Sequence, residues 1–397
     1  LAGCGDPGAG THQRRFDQRR AFEGQGFQRT GSLGQHIMTT RNPVLWSEGM
    51  FLRPQHFQQQ AHYHEAMLEA RCGRPLSYLW GFLDFAIEEA MLGMGKIGIS
   101  MAIMAKRAVD LSGTKKRVIG LSRFSNKNQI KLLEKAGIDI IKGDLIDPEF
   151  VKGLPKVKNI IFLAGMKFGS EENLSLTWAI NAYLPGLVAD HFSGSRIVAF
   201  STGCVYPLVP VSYGGSKETD KPDPVGEYAQ SCLGRERMFE YGSLRHGTPV
   251  ILIRLNYAVE MRYGVLVDIA LKVKTRTPVD LTMGHFNVMW QGDANAMILK
   301  ALNYCQSPAR ILNITGEEVL SVKDVAIQFG ESLGIEPEFT GKESETALLS
   351  NAEESFKLLG YPGVRVEKMI SWIADWISND RPLLNKPTHF EVRDGKY

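Results

Sequence analysis

The sequence has few cysteines, almost no net charge and no long apolar run. Its five cysteines are scattered over 397 residues without a CxxC zinc pair, which excludes a disulfide framework and predicts a cytoplasmic location. With 46 basic and 43 acidic residues, the net charge of +3 excludes an electrostatic argument for nucleic acid or an anionic membrane as partner. No apolar run approaches the roughly 20 residues of a membrane-spanning helix. A globular protein of two or three domains remains.

Residues 1–37 lack the apolar periodicity of a folded segment and are rich in Gly, Gln and Arg. They carry too few large apolar side chains to offset the entropy of ordering, so we predict a disordered leader. One interpretation is a segment translated from upstream of a natural start at Met38. An Arg-rich arm that binds nucleic acid is the alternative, but Asp6, Asp17 and Glu23 dilute its charge.

Residues 38–92 are aromatic and Gln-rich, and a helix is predicted over 54–71 because a Gly-Arg-Pro sequence follows it. Three histidines belong to that helix: His56, His62 and His64. They could bind a metal, but no Cys or carboxylate completes a ligand set at a useful spacing. We interpret them as surface histidines and predict no metal site. A short helical turn is predicted over 88–92.

From Gly93 the sequence alternates between short apolar runs and helical patterns, which predicts a buried parallel sheet. The expected fold class is α/β, a doubly wound parallel sheet of the Rossmann type, followed by a smaller mixed α/β cap. Predicted strands cover 117–121, 138–141, 159–164, 196–201 and 249–254, and predicted helices cover 99–110, 129–136, 174–192 and 228–245.

A GxGxxG motif stands at the start of this region. Such glycines bring backbone N–H groups close to a pyrophosphate when they follow a buried strand and open a helix. The helix that follows is well formed in the sequence, but Glu88 and Glu89 precede the motif where a dry strand is needed. The cofactor-binding candidates from the motif are Gly93, Gly95, Lys96, Ile97 and Gly98.

Two later strand ends carry further candidates for dinucleotide binding. Ser122 and Arg123 stand where an acid for the ribose is expected, and an Arg there would favour the 2′-phosphate of NADP over NAD. Arg123 could equally be a solvated loop residue. Asp144 and Leu145 follow the next strand, where they would face an adenine. The cofactor is therefore predicted as NAD or NADP.

Four motifs occur in an order that is specific to one family. They are Leu163-Ala164-Gly165, Ser201-Thr202-Gly203-Cys204-Val205-Tyr206-Pro207, Tyr228-Ala229-Gln230-Ser231-Cys232 and Arg254-Leu255-Asn256-Tyr257. Together with the glycine turn they resemble the extended short-chain dehydrogenase/reductase family, and within it the NAD-dependent epimerase/dehydratases. The resemblance covers about residues 93–397.

The resemblance implies roles for individual residues. Tyr228 would exchange a proton with the substrate while the nicotinamide exchanges hydride, and Thr202 would hold the substrate oxygen. Tyr206 and Asn256 would contact the substrate. The implied contacts with the cofactor are Ala164, Gly165, Ser201 and Tyr228.

The chain departs from the YxxxK pattern of that family, because Cys232 stands in place of the Lys. A Tyr with an ordinary pKa of about 10 is only about a thousandth phenolate at pH 7, and a neutral thiol supplies no positive charge. Arg235, three residues beyond Cys232, could lie on the same helix face and substitute for the Lys. Alternatively, Tyr228 is a binding-site phenol in a protein without fast chemistry.

Residues 38–99 resemble a different family, the type VI secretion baseplate subunit TssK. The resemblance depends on Leu45-Trp46-Ser47-Glu48-Gly49-Met50-Phe51-Leu52-Arg53-Pro54-Gln55-His56-Phe57 and on Trp80-Gly81-Phe82. The chain thus has the appearance of a fusion, in which foreign sequence replaces the first strand of the dinucleotide fold. Predicted domains are a leader (1–37), a TssK-like fragment (38–92), a NAD(P)-binding domain (93–256) and a substrate-binding cap (257–397).

The expected function is that of an epimerase or dehydratase acting on a sugar nucleotide or a similar hydroxyl substrate. A homodimer through the helices at 174–192 and 228–245 is implied by the resemblance. Two alternatives stay open: a structural component of a secretion baseplate whose partner binds residues 38–92, and a catalytically weak nucleotide-binding regulator.

Overall fold

The computed structural model describes residues 90–93, 97–124, 127–167 and 169–396. The predicted leader, the three histidines and nearly all of the TssK-like fragment lie outside these ranges, as do Gly95 and Lys96 of the glycine motif. The structure therefore bears on the predicted α/β region.

The central feature of that region is a seven-stranded parallel sheet in the order β7-β6-β5-β4-β1-β2-β3. Near-continuous apolar sequence predicts such strands, since both faces of the sheet are covered. The strands are β1 (Ala90–Gly93), β2 (Val118–Ser122), β3 (Asp139–Lys142), β4 (Asn159–Phe162), β5 (Arg196–Thr202), β6 (Val250–Leu255) and β7 (Arg310–Ile314).

Strand β1 lies in the middle of the sheet and pairs on both sides. Leu92 is in register with Gly120 of β2 and with Ile161 of β4. The helical turn predicted over 88–92 is therefore wrong for residues 90–92. Backbone pairing with two neighbouring strands outweighs the modest helix propensity of Ala, Met and Leu at this position.

Helices cover both faces of the sheet. They are α1 (Gly98–Leu111), α2 (Lys127–Lys135), α3 (Pro148–Lys152), α4 (Leu174–Trp178), α5 (Leu184–His191), α6 (Gly226–His246), α7 (Val265–Lys274), α8 (Gln291–Ala301), α9 (Val322–Leu333), α10 (Glu353–Leu359) and α11 (Val366–Ser378). A π-helical turn, Ala179–Tyr183, joins α4 to α5, and short 3₁₀ turns occur at Gly203–Val205, Val211–Tyr213 and Leu302–Tyr304. None of these helices is both long and apolar enough to cross a bilayer.

Two hydrophobic layers hold the helices to the sheet. On one face, Met101 and Ala105 of α1 pack with Ile253 of β6. On the other, Val188 of α5 and Phe239 of α6 pack with further sheet residues. Each large apolar side chain that is fully buried contributes about 1.5–3 kcal/mol. Packing on both faces makes the sheet doubly wound, as predicted.

The region after Tyr257 builds its own apolar cluster from α7, α9 and α11, with Ile269, Phe329 and Ile373 among its fully buried members. The same region returns to the sheet through β7, which pairs with β6. Short strand pairs accompany the cluster: Ala258–Val259 with Met289–Trp290, Val279–Asp280 with Phe339–Thr340, His285–Phe286 with Leu320–Ser321, and Val209–Pro210 with Thr346–Ala347. The boundary between residues 256 and 257 stays a prediction.

Candidate active site

A cavity of about 290 Å³ opens at the carboxyl ends of β4, β5 and β6. Parallel sheets bind ligands at this edge, because their loops converge there. The wall combines apolar and aromatic side chains with a few polar groups. Among the lining residues are Ile97, Leu163, Gly165, Lys167, Phe200, Ser201, Thr202, Cys204, Tyr228, Arg235, Asn256, Tyr257, Tyr263 and Thr388.

A second cavity, of about 140 Å³, lies at the carboxyl ends of β2 and β3 and shares Gly165 with the first. The strand order reverses between β1 and β4, which is where doubly wound sheets bind dinucleotides. Six of the residues that were predicted to bind the cofactor line this smaller cavity: Ser122, Arg123, Asp144, Leu145, Ala164 and Gly165.

A strand precedes the glycine motif and a helix follows it, as a dinucleotide motif needs. Gly93 ends β1 and Gly98 begins α1. Ile97 at the N-cap has no side-chain acceptor for the first N–H groups of α1, and it lines the larger cavity. These N–H groups are therefore suited to an anionic ligand.

Two glycines permit close packing along the cavities. A Cβ added at Gly143 would lie 2.0 Å from Cζ of Phe150, and one added at Gly165 would lie 2.6 Å from Nη2 of Arg235. Side chains at either position would thus displace groups that shape the walls. Arg123 is exposed at the mouth of the smaller cavity.

Tyr228 lies in the first turn of α6 and lines the larger cavity together with Thr202 at the end of β5. Burial raises the pKa of Tyr228 well above its usual 10, and the thiols of Cys232 and Cys204 add to the rise. The phenol is accordingly the stable form at neutral pH.

Cys232 and Arg235 follow on the same helix, but only Arg235 reaches the cavity. Cys232 is fully buried and lines neither cavity, and burial raises the pKa of its thiol. The Arg235 guanidinium donates to the Phe200 carbonyl oxygen at 2.8 Å and to Oδ1 of Asn181 at 2.6 Å. Its charge lowers the pKa of Tyr228, although by less than burial raises it.

Ser201 and Tyr206 belong to the scaffold around the site. Ser201 lines the larger cavity, but its hydroxyl donates to Glu236 at 2.5 Å, and Glu236 in turn accepts from Arg254. Tyr206, expected to contact substrate, is 2% exposed and lines neither cavity. Its hydroxyl donates to Oδ1 of Asn313 at 2.9 Å, so the structure places it in the core.

Asn256 and Tyr257 occupy the end of β6. The amide of Asn256 donates to Oδ1 of Asn287 at 3.2 Å, which fixes the side chain on the cavity wall. Tyr257 has a left-handed backbone with φ +41°, which is strained for a residue other than glycine and is typical of functional sites. Burial raises the pKa of the Tyr257 hydroxyl well above 10.

The lining residues of the larger cavity that sequence reasoning missed include Lys167, Cys204, Tyr263 and Thr388. Lys167 comes two residues after the Leu163-Ala164-Gly165 strand end, so a cation next to a strand end was a usable signal. Thr388 comes from the chain end, and no local pattern points from there to the cavity. Across the ranges that the structure describes, no three His, Cys, Asp or Glu side chains cluster as metal ligands do.

Two comparisons concern the amino-terminal part of the chain. Residues 56–105 match the family model for bacterial type VI secretion proteins (VC_A0110, EvfL, ImpJ, VasE). The type VI secretion system baseplate component TssK1 of Pseudomonas aeruginosa is 46% identical over 77 residues, which are 19% of this chain and 16% of that protein. The family match ends inside α1 and so includes β1 of the sheet.

Solved structures match the rest of the chain. A UDP-glucuronic acid 4-epimerase variant from Bacillus cereus has a TM-score of 0.63 at 15% identity, covering 73% of this chain and 99% of its own. A putative epimerase from Burkholderia cenocepacia has a TM-score of 0.60 at 17% identity. The UDP-glucose 4-epimerase from Thermotoga maritima has a TM-score of 0.60 at 15% identity. Each match covers 74% of this chain and 99% of the matched chain. The Rossmann-like fold is confirmed, and so is the chimeric appearance.

Proposed function

We propose that this chain is an NAD(P)-dependent epimerase or dehydratase that acts on a sugar nucleotide or a similar hydroxyl substrate. The observation that carries the proposal is that Tyr228 and Thr202 together line the larger cavity at the carboxyl end of β5. That cavity shares Gly165 with the smaller one, where a dinucleotide would extend. The similar Bacillus enzyme is described with NAD and a UDP-sugar, which supports the same ligands here.

The residues present fit a nicotinamide dinucleotide. Its pyrophosphate would meet the N-terminus of α1 at Gly98, and its adenosine would occupy the smaller cavity beside Asp144. The absence of a side chain at Gly165 leaves room where the two cavities meet. When bound, the cofactor supplies reversible hydride transfer with a carbinol carbon of the substrate.

Side chains of the protein would transfer the proton that accompanies hydride transfer. Thr202 would position an oxygen of the substrate beside Tyr228. As a phenol, Tyr228 would donate its proton to a carbonyl oxygen, and as a phenolate it would accept the proton of a hydroxyl group. The high pKa of Tyr228 favours the donating form. The fixed charge of Arg235 lowers the cost of the phenolate. The buried thiol of Cys232 contributes no charge.

The first experiment measures NADH and NADPH binding to the full chain by nicotinamide fluorescence, followed by turnover assays on a panel of sugar nucleotides. Binding of either cofactor together with epimerised or dehydrated product would support the proposal. Binding without turnover would favour the nucleotide-binding regulator. If neither cofactor binds, both interpretations are wrong.

Arg123 allows a prediction about cofactor choice. Because its exposed guanidinium stands at the mouth of the adenosine-side cavity, Arg123→Ala should weaken NADPH binding about tenfold, the loss of one charge-assisted hydrogen bond. NADH binding should stay unchanged. Lys115→Ala, an exposed change before β2, is the control. Equal effects on both cofactors would remove Arg123 from 2′-phosphate recognition.

We also propose a homodimer through α4, its π-helical extension and α6. These helices expose large apolar side chains, including Trp178 (38%), Tyr183 (52%), Tyr241 (55%) and Leu244 (67%). Exposed apolar groups on adjacent helices are typical of a covered surface.

Introducing charge tests this dimer. Tyr241→Glu combined with Leu244→Glu should convert a dimer to a monomer in sedimentation velocity, because two carboxylates would face an apolar partner surface. Ile327→Glu, on an exposed part of α9, is the matched control. A wild-type chain that sediments as a monomer at micromolar concentration would contradict the dimer.

The type VI matches favour a second candidate function, a baseplate component that binds a secretion partner through residues 38–92. Size-exclusion chromatography of the full chain with purified baseplate subunits tests it. Co-elution that Trp46→Ala abolishes would support it, and separate elution would contradict it. A cytoplasmic location, which both candidates share, stays a prediction.

A further inference from the structure

A lysine that the sequence motifs did not include stands beside Tyr228. Lys167 follows β4, and its Nζ lies 5.8 Å from the centroid of the Tyr228 ring. The ammonium donates to the Thr388 carbonyl oxygen at 3.2 Å, and the side chain lines the larger cavity. A cation over the face of a phenol interacts favourably with the ring, and more so with a phenolate.

The surroundings of Tyr228 make a nearby cation important. Deprotonation would create an anion in a partly apolar cavity, beside the thiols of Cys204 and Cys232. A carbonyl oxygen and an amide oxygen accept from the Arg235 guanidinium, which is immobilised against the sheet. Lys167 is instead attached through a flexible stem that can follow charge as it develops.

We propose that Lys167 is a second cation that stabilises the Tyr228 phenolate, reaching it from the β4 loop and acting together with Arg235 of α6. The role of Lys167 in catalysis rests on the proposed function, whereas its electrostatic interaction with Tyr228 does not. Lys167 acts through Tyr228 and is therefore a positioning residue.

The chain end holds this cation in place. Both the backbone N–H and the hydroxyl group of Thr388 donate to Oδ2 of Asp268, at 2.7 and 2.6 Å. Asp268 lies on α7, so the cap sets the position of the carbonyl oxygen that Lys167 contacts. The geometry thus connects the cap to the proton-exchanging Tyr.

The titration of Lys167 depends on several groups. Burial lowers its pKa, while Cys204, Cys232 and Asp268 raise it. Tyr228 is in turn influenced by the same two thiols and by Arg235. Lys167 and Tyr228 thus have the same two thiols among the groups that influence their pKa values.

Fluorine NMR of the full chain, without cofactor or substrate, tests the coupling. A difluorotyrosine incorporated at position 228 has a lower intrinsic phenol pKa, which moves its ionisation to a lower pH than that of tyrosine. Lys167→Met should raise the ionisation midpoint by about one pH unit or more, because the stabilising charge is lost. Lys167→Arg should restore most of the shift, and Lys221→Met, at an exposed position, should have none.

An ionisation midpoint in Lys167→Met within about 0.2 pH units of wild type would overturn the proposal, because the loss of a charge that stabilises the phenolate must move its pKa.

Circular dichroism of each variant checks that the fold is kept, and Thr388→Val serves as a second probe. It removes one bond to Asp268 and should produce a smaller shift in the same direction. If neither NADH nor NADPH binds, the proposed function is wrong, but the expected shifts in the Tyr228 ionisation midpoint stay the same.

Discussion

Tyr228→Phe is expected to lower turnover by about a thousandfold, while NADH or NADPH binding changes little. The phenylalanine keeps the ring but cannot exchange a proton, and general acid–base catalysis contributes about 10²–10⁴ to a rate. The interaction with Thr202, which lowers the pKa of Tyr228, is lost as well. Steady-state kinetics on the substrate found in the panel, with fluorescence titration of the cofactor, measures both effects.

Tyr213→Phe is the matched control, since Tyr213 is 49% exposed and lines neither cavity. It should leave both quantities unchanged. Turnover of Tyr228→Phe within tenfold of wild type would contradict an acid–base role and favour a tyrosine that only contacts the ligand.

The pH dependence of the wild type follows from the same residue. Burial raises the pKa of Tyr228, so the protonated phenol persists from neutral pH to well above pH 10 in the free protein. A reaction step that needs the phenolate should therefore accelerate with pH over this range, whereas a step that needs the phenol should not. The log of kcat/KM for alcohol oxidation, measured between pH 7 and 9, should rise, and Tyr228→Phe should flatten the slope.

Much of the fold could be predicted because parallel strands buried on both faces have a distinctive sequence. Ile160 and Ile161 of β4 and the apolar run Val250–Ile253 of β6 are typical of such strands. The smaller cavity was also predictable, since its residues follow strand ends directly along the chain. Asp144 illustrates this: its position after β3 alone places it on the ligand edge.

The parts that could not be predicted depend on distant contacts. Ala90–Gly93 form a strand because β2 and β4 flank them, which the local sequence does not indicate. Thr388 reaches the cavity only because Asp268 binds it from α7. Tyr206 belongs to a motif associated with the site, but its hydroxyl group bonds to Asn313, 107 positions further along the chain.

Glu236→Leu is expected to destabilise the fold by about 3–5 kcal/mol, the usual cost of leaving a buried charge without its partner. Glu236 is fully buried and accepts from Nε of Arg254 at 3.0 Å and from Nη2 at 2.7 Å. Arg254 itself is 1% exposed, so water cannot replace the lost carboxylate. Urea denaturation followed by circular dichroism measures the change in the free energy of unfolding.

The double variant Glu236→Leu with Arg254→Met separates the lost charge from lost packing. Removing both charges should recover most of the stability, because apolar side chains of similar volume often replace a buried ion pair at little cost. Glu353→Gln provides the surface comparison: it weakens an exposed ion pair with Lys357, so the loss of stability should be far smaller. A similarly small loss of stability in Glu236→Leu would mean that the Arg254 charge finds another partner.

Glu236 also accepts a hydrogen bond from Ser201 at the end of β5. The Glu236→Leu variant should therefore also bind the cofactor more weakly, because the end of β5 moves.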